Sequence, residues 1–226
     1  MNTELPGRFQ FLEIGDRVVE FGSGTGSDCI TVAKVVGLNG KVIGIDLSDK
    51  NINEARQKSD SMKLNNVEFR LGNIEAAPVP DEFANVVYST CVFNLQTNKQ
   101  KVADEIYRVC EHNGYACVSD FVIINEIPDD LRSEASEIAG CISGAENVEI
   151  FMNYFRKTGF TAGGIVEVNK VQLPQELLEK YLDAEMINNY NDIDSDYGIF
   201  NVVLVVEKPE TCNAETCCHN ADKHKN

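Results

Sequence analysis

Short apolar runs, each followed by a stretch of helical spacing, dictate most of what this chain can fold into. Residues 16–21 form an apolar run that ends at glycines, and residues 28–36 continue with Cys29, Val32, Ala33 and Val36 at helical spacing. Gly40 breaks the chain, residues 41–45 are β-branched and apolar, and Ser48 stands where it caps a helix over 49–62. Residues 67–71 and 85–89 supply two more strands, the second after the turn-forming Pro78, Pro80 and Asp81. Helical spacing returns over 102–109, and Asn113-Gly114 reads as the stop before a strand at 115–121. Near-continuous apolar strands alternating with amphipathic helices need cover on both faces. The pattern therefore predicts an α/β fold with a doubly wound, mostly parallel, seven-stranded sheet and helices on both sides. After Asp120 the rhythm changes. Residues 123–158 read as a largely helical, insert-like acceptor region with a Gly-rich break at 140–145, and the last strands are expected at 161–171 and 198–206, around a helix near 174–188. The final strand is expected to run antiparallel. Residues 1–208 then make a single domain, and 209–226 a disordered tail that contains cysteines.

Composition narrows the partners. A chain of 226 residues, 43% hydrophobic, is long enough for one domain with a sizeable core. A formal charge of -16 argues against nucleic acid or an anionic membrane as the main partner, because phosphate binding needs a basic footprint. No run approaches the roughly 20 apolar residues that span a bilayer, and no basic-then-apolar leader opens the sequence. A cytoplasmic location and a small-molecule substrate are the expectation, with the oligomeric state left open. In that setting the eight cysteines read as reduced, metal-binding or catalytic rather than as a disulfide framework.

The loop after the first strand is Glu20-Phe21-Gly22-Ser23-Gly24-Thr25-Gly26. Its glycines permit a tight turn and close backbone approach to a ligand, and the helix start beyond them offers unpaired N–H groups. The third glycine comes one residue earlier than in the dinucleotide fingerprint. An acidic residue ahead of this spacing resembles the S-adenosylmethionine loop of class I methyltransferases, and the fold expected is their Rossmann-like one. That resemblance makes Glu20, Gly22, Ser23, Gly24 and Gly26 cofactor-binding residues, with Asp46 and Leu47 after the second strand for the ribose, Asp46 taking both hydroxyls. Asn73, Ile74 and Glu75, after the third strand, are expected to bracket the adenine with a polar side chain and an apolar face.

The cysteines choose among methyltransferases. Asp28-Cys29, then Ser89-Thr90-Cys91-Val92-Phe93-Asn94-Leu95, then Gly140-Cys141-Ile142-Ser143-Gly144-Ala145 resemble the arsenite S-adenosylmethionine methyltransferases over about residues 15–160. That family carries Asp-Cys after the loop, Asn-Cys-Val-x-Asn-Leu at the fourth strand and Glu-Cys-x-Gly-Gly-Ala later. The resemblance implies that Cys91 and Cys141 hold trivalent arsenic during transfer and that Cys29 serves the enzyme's own disulfide chemistry, supported by a thiol reductant. Cys29 is further expected to sit near a helix N-terminus, whose partial positive charge favours thiolate, and to be a possible third arsenic ligand. The chain departs from the family pattern in its short N-terminal segment, which lacks the family's additional cysteine. It also lacks the large C-terminal domain of longer members, and Glu146-Asn147 stand where an aromatic pair is usual. In the tail, Cys217 and Cys218, with Cys212 and His219 nearby, are candidate arsenic-capturing or disulfide-resolving thiols.

These residue types suit the chemistry. Trivalent arsenic is soft and prefers thiolate sulfur, as soft metals do. Held by sulfur it keeps a lone pair, so it needs no general base to attack a sulfonium methyl. Catalysis would come mainly from alignment, an effect worth up to roughly 7–11 kcal/mol. Two other readings use part of the same pattern: a methyltransferase of a quinone or other small molecule, which needs no thiols, and a non-catalytic arsenic-binding protein. Cys110 and Cys117 read as core residues, and His112 as a helix-end contact.

Overall fold

The computed structural model describes residue 9 and residues 11–210. Its elements are β1 (Arg17–Phe21), α1 (Ser27–Val36), β2 (Lys41–Asp46), α2 (Asp49–Ser61), β3 (Val67–Leu71), β4 (Ala84–Thr90), α3 (Lys99–Val109) and β5 (Cys110–Ile124). There follow α4 (Asp129–Ala135), β6 (Glu146–Asn147), α5 (Val148–Thr158), β7 (Ala162–Lys170), α6 (Gln175–Tyr181), α7 (Ala184–Asn191) and β8 (Gly198–Glu207). One sheet holds the strands in the order β3-β2-β1-β4-β5-β8-β7, with the two-residue β6 pairing β5 off this path. β1 to β5 are parallel, and β8 runs antiparallel to both β5 and β7. This is the doubly wound, mostly parallel arrangement that the alternation predicts, with the strand order that the resemblance to class I methyltransferases implies.

Burial follows the strand alternation. Val19, Phe21, Ile43, Ile45 and Val87 face one side, where Val102 and Ile106 of α3 and Phe151 and Phe155 of α5 cover them. Val18, Val42 and Val86 face the other, under Cys29, Val32 and Val36 of α1 and Ile52 and Ala55 of α2. A third, smaller cluster gathers Leu131 of α4, Ile142, Leu178 of α6, Tyr190 of α7 and Ile199 of β8 into a cap over the carboxyl end of β5. Ser48 caps α2 as expected, accepting from the Asn51 N–H at 3.3 Å. Parallel order reverses at β1, between β2 and β4, which opens a crevice at the carboxyl ends of these strands.

The later half differs from the sequence reading in four places. Asn113-Gly114 does not stop α3, because β5 already begins at Cys110. The pair sits in a bulge where Ala84 pairs Cys110 but Val86 pairs Tyr115, and Asn113, at φ 61°, donates its N–H to the Lys208 carbonyl. His112 lies in that bulge rather than at a helix end, with Nδ1 2.7 Å from the Pro209 carbonyl and Nε2 3.0 Å from Glu82. The helix near 174–188 is two helices, because Leu182 turns into the cap and Asp183 restarts the chain by accepting from the Met186 N–H at 2.9 Å. Residues 123–158 are less helical than expected. β5 runs on to Ile124 before α4, a 3-10 turn at Gly140–Gly144, β6 and α5. Lys208, the last residue of the expected domain, is itself buried, its ammonium donating to the Tyr107 and Cys110 carbonyls.

Candidate functional site

The glycine loop lies at the mouth of the crevice. Gly22, Gly24 and Gly26 all have left-handed φ values, 83°, 51° and 79°, and each has a different surrounding. A Cβ on Gly22 would overlap the Val92 side chain, and one on Gly26 would come within 2.5 Å of the Phe69 ring, so these two are fixed by packing. A Cβ on Gly24 would meet nothing within 4 Å. Next to it, the Ser23 hydroxyl is buried with no hydrogen-bond partner among the described residues. An orphaned buried hydroxyl beside an open glycine fits a polar ligand laid along the loop. Gly24→Ala is expected to cost about 1 kcal/mol of stability from the left-handed backbone. By calorimetric titration it is also expected to weaken S-adenosylmethionine binding more than tenfold, because its methyl enters the ligand's space.

Beyond β2, Asp46 is already engaged. Its carboxylate accepts from the Gly24 N–H and the Ser48 N–H, each at 2.9 Å, and from the Asn51 side-chain amide at 3.1 Å. A carboxylate has about four acceptor sites. To take both ribose hydroxyls, Asp46 must therefore release one of its present partners. Leu47, just past the carboxyl end of β2, is 63% exposed. Ile74, expected to give the apolar face, is instead buried in the main core, which makes Leu47 the exposed apolar group of the set. The Asn73 side chain accepts from the Glu75 N–H at 2.9 Å and starts a 3-10 turn, while Glu75 pairs with Lys101 at 3.8 Å.

Cys29 departs most from expectation. It is 0% exposed and faces the sheet with Val32 and Val36. Its thiol donates to Glu20 Oε2 at 2.8 Å, and the Tyr88 hydroxyl donates to the same oxygen at 2.7 Å. Burial and the Glu20 charge push the Cys29 thiol well above its usual range, so the site disfavours the thiolate that redox chemistry needs. The helix N-terminus is outweighed by desolvation. The Glu20 carboxylate is likewise committed to two buried donors rather than to the crevice.

Burial pushes the Glu20 carboxyl up from 4.5 to about 7, against the two hydrogen bonds that lower it. Between those values the folded chain holds a proton that the unfolded chain has released. Stability from this group is therefore full below about pH 4.5 and falls as pH rises through about 7, by roughly 3 kcal/mol. Asp120, raised from 3.8 to about 6, adds a slope of the same sign at lower pH. Melting curves of wild type and Glu20→Gln between about pH 5 and pH 8 isolate the Glu20 share: the variant is expected to lose less stability across this range.

Cys91 and Cys141 do come together. Cys91 follows β4 with its backbone at φ 53°, a left-handed conformation uncommon for a non-glycine residue, and its N–H donates to the Ser119 carbonyl at 2.8 Å. Cys141 is buried in the 3-10 turn Gly140–Gly144. Their sulfurs and a carboxylate oxygen of Asp120 all lie within 4.8 Å of one another. The hydrogen bond shared with Cys91, together with burial and the Asp120 charge, raises the Cys141 thiol above its ordinary range. Burial pushes Asp120 up to about 6, although its oxygens accept from the Asn94 N–H at 3.0 Å and the Phe121 N–H at 2.9 Å.

The surrounding motif residues hold this pair in place. Phe93 drives the turn after Cys91 into the core, edge-on to Phe151 with ring centres 5.5 Å apart. The Asn94 side-chain amide donates to the Phe121 carbonyl at 2.7 Å, tying the Cys91 loop to β5. Gly144 passes so close that a Cβ there would overlap the Asn94 carbonyl oxygen. Lys99, at the start of α3, donates to the Gly144 carbonyl at 2.9 Å and pairs with Glu146 at 3.0 Å, fastening the Cys141 segment from its other end. Asp120 and Lys99 are the site residues that sequence reading passed over. The signal for Asp120 was an acidic residue at the end of the apolar run 115–121, where a carboxylate is out of place without a purpose. Cys217 and Cys218, with Cys212 and His219, lie outside the described residues.

Val92 joins the two halves of the site. It follows Cys91 in sequence and fills the space over Gly22, so the acceptor-side turn is in contact with the glycine loop.

Comparisons with known proteins agree with this geometry. Residues 12–159 match the family model described as a methyltransferase domain. An arsenite methyltransferase of Halobacterium salinarum is 36% identical over 202 residues, 89% of this chain and 48% of that protein. The Mus musculus arsenite methyltransferase is 31% identical over 175 residues, 74% of this chain and 46% of that protein. The solved structure of an arsenic (III) S-adenosylmethionine methyltransferase from Chlamydomonas reinhardtii superposes with a TM-score of 0.70 at 28% identity, over 87% of this chain and 64% of that one. The chain spans about half the length of the curated relatives it matches. With its strand order, its glycine loop and these relatives taken together, the chain belongs to the methyltransferase-domain family, in the arsenite methyltransferase branch.

Proposed function

We propose that this protein is a cytosolic methyltransferase that moves a methyl group from S-adenosylmethionine to trivalent arsenic, taken as arsenite or methylarsenite. The observation that carries the reading is the approach of the sulfurs of half-buried Cys91 and buried Cys141 beside the crevice. Two thiols that hold their protons can still capture arsenite. As each As–O bond breaks and an As–S bond forms, the thiol proton leaves with the hydroxide as water. No external base is consumed. The pair then presents a soft, sulfur-bound acceptor with its lone pair retained.

S-adenosylmethionine, when bound, supplies a methyl carried on a positively charged sulfur. The chain's own part is positional. Ser23 and the open side of Gly24 receive the donor, Asp46 and Leu47 take its ribose and adenine end, and Asn73 and Glu75 border it. The contact of Val92 with Gly22 keeps donor and acceptor halves at a fixed separation, which is where alignment contributes most. Methyl transfer oxidises the arsenic, so a thiol reductant returns it to the trivalent state by giving two electrons and becoming a disulfide. An external thiol fits this role better than Cys29, whose sulfur is sealed against Glu20. No described helix is long and apolar enough to cross a membrane.

The reading is tested by incubating the protein with S-adenosylmethionine, a thiol reductant and either arsenite or methylarsenite, then separating the arsenic species. Methylated product from at least one acceptor is expected, and none from either would overturn the reading.

A further inference from the structure

Asp120 is the one member of the cluster around the two thiols to which the arsenical reading assigns no ligand role. Its carboxylate is fully buried at the end of β5, within 4.8 Å of both sulfurs. We propose that Cys91, Cys141 and Asp120 together also bind a thiophilic divalent cation of the zinc or cadmium type, and that the bound cation excludes the arsenical. Cation binding stands on the geometry alone. Only the exclusion rests on the proposed function.

The donor set argues for this class of ion. Trivalent arsenic takes sulfur and gains little from a carboxylate, whereas zinc and cadmium accept two thiolates and an oxygen in one tetrahedral shell. Magnesium and calcium call for oxygen donors and suit this pocket poorly. With bonds of about 2.3 Å to sulfur and about 2.0 Å to oxygen, a tetrahedral ion brings its donors to roughly 3.5–3.8 Å apart, so donors that lie within 4.8 Å of one another close by about 1.3 Å at most. Three protein ligands leave the fourth position to water.

The carboxylate is also prepared as a ligand. Each oxygen accepts one peptide N–H, from Asn94 at 3.0 Å and Phe121 at 2.9 Å, which fixes its orientation and leaves acceptor capacity on both. Outer-shell hydrogen bonds of this kind commonly orient metal-binding carboxylates. The ligands come from different packing units, since Cys91 precedes Phe93 of the main core and Cys141 precedes Ile142 of the cap cluster. A cation would therefore pin the cap to the sheet. Binding forms two metal–sulfur bonds and one metal–oxygen bond, releases the two thiol protons to solvent, and transfers no electrons.

Cobalt(II) is a spectroscopic stand-in for zinc, and cadmium a tight-binding probe. The test uses the full chain with Cys212, Cys217 and Cys218 replaced by serine, so that only described thiols report. One cobalt per chain is expected, with a thiolate-to-metal charge-transfer band that disappears in Cys91→Ser and Cys141→Ser. In Asp120→Asn, cadmium affinity is expected to fall at least tenfold while methylarsenite binding changes less than threefold. Because Asp120 is buried, its variants are first checked by thermal unfolding, and Asp120→Cys gives a second measurement: a stronger band and tighter cadmium binding. Absence of the band in the starting protein, or cadmium affinity unchanged in folded Asp120→Asn and Asp120→Cys, overturns the proposal. In metal-free buffer, one equivalent of cadmium is expected to raise the KM for methylarsenite at least tenfold and leave that for S-adenosylmethionine unchanged. Cadmium binding that leaves the methylarsenite KM unmoved overturns the exclusion. A protein that binds cadmium yet methylates no arsenical in metal-free buffer removes the proposed function and leaves the cation site standing.

Discussion

Replacing Cys91 or Cys141 with serine is expected to lower methyl transfer to methylarsenite by ~10³-fold or more, equivalent to about 4 kcal/mol of transition-state stabilisation. The change is one atom, and serine fits the space of each thiol. What is lost is the soft donor, and an oxygen in its place competes poorly for trivalent arsenic. With one sulfur remaining, the acceptor is no longer fixed from two sides, and alignment with the donor methyl goes with it. S-adenosylmethionine affinity is expected to change less than about twofold, because the Ser23 and Gly24 cradle is untouched. Steady-state kinetics with each variant, beside calorimetric titration of the cofactor, separate these effects. Near-normal transfer to some other small molecule by both variants would favour the thiol-independent methyltransferase reading.

Gly144→Ala is expected to have the next largest effect, although glycine itself offers no side chain to a ligand. Its added methyl overlaps the backbone carbonyl of Asn94, and a carbonyl held in a turn cannot rotate aside as a flexible side chain would. The Asn94 segment is anchored three ways: Phe93 in the core, the Asn94 amide on the Phe121 carbonyl, and the Asn94 N–H on Asp120. The Gly144 side must therefore give, and Cys141 moves with it. Overpacking of this kind costs about 1–3 kcal/mol, and methylarsenite affinity is expected to fall at least tenfold as the two sulfurs separate. Gly140→Ala, in the same turn but with nothing within 4 Å of its Cβ, serves as the control and is expected to be close to neutral. Equal losses in both variants would mean that the turn is sensitive to any substitution rather than to this contact.

Much of this was legible in the sequence because the strands are buried on both faces. A parallel strand flanked by helices has to be apolar along its whole length, so β1, β2 and β4 announced themselves within a residue or two, while β3, an edge strand with only Phe69 buried, shows the alternation of Val67, Phe69 and Leu71 instead. The cysteine motifs were legible for a related reason: their companions, Phe93, Asn94 and Gly144, are the residues that bring the two loops into contact. Cys29 shows where such reasoning fails. Adjacency to a helix N-terminus suggested a reactive thiol, yet the same sequence placed Cys29 on one stripe with Val32, Ala33 and Val36, and an apolar stripe at that spacing marks the face turned into the core. Direction outranked proximity. Asn113-Gly114 misled differently, since a left-handed Asn ends helices and bulges strands with equal ease, and only the β5 pairing with β4 and β8 decides between them. Asp120 went unread because its role depends on two turns distant in sequence, which no local spacing encodes.

The backbone of Cys91 carries one more implication. A residue at φ 53° pays about 1–2 kcal/mol unless it is glycine, with asparagine the next best tolerated. Conformation alone therefore pulls this position away from cysteine, and under the proposed function a demand for sulfur holds it there. In lineages long sheltered from arsenic, the first letter to drift in this motif should be Cys91, and it should drift toward glycine or asparagine before serine. Retention of cysteine in such lineages would point to a second occupation for the thiol, and the history of this single position then becomes a record of what the pocket has been exposed to.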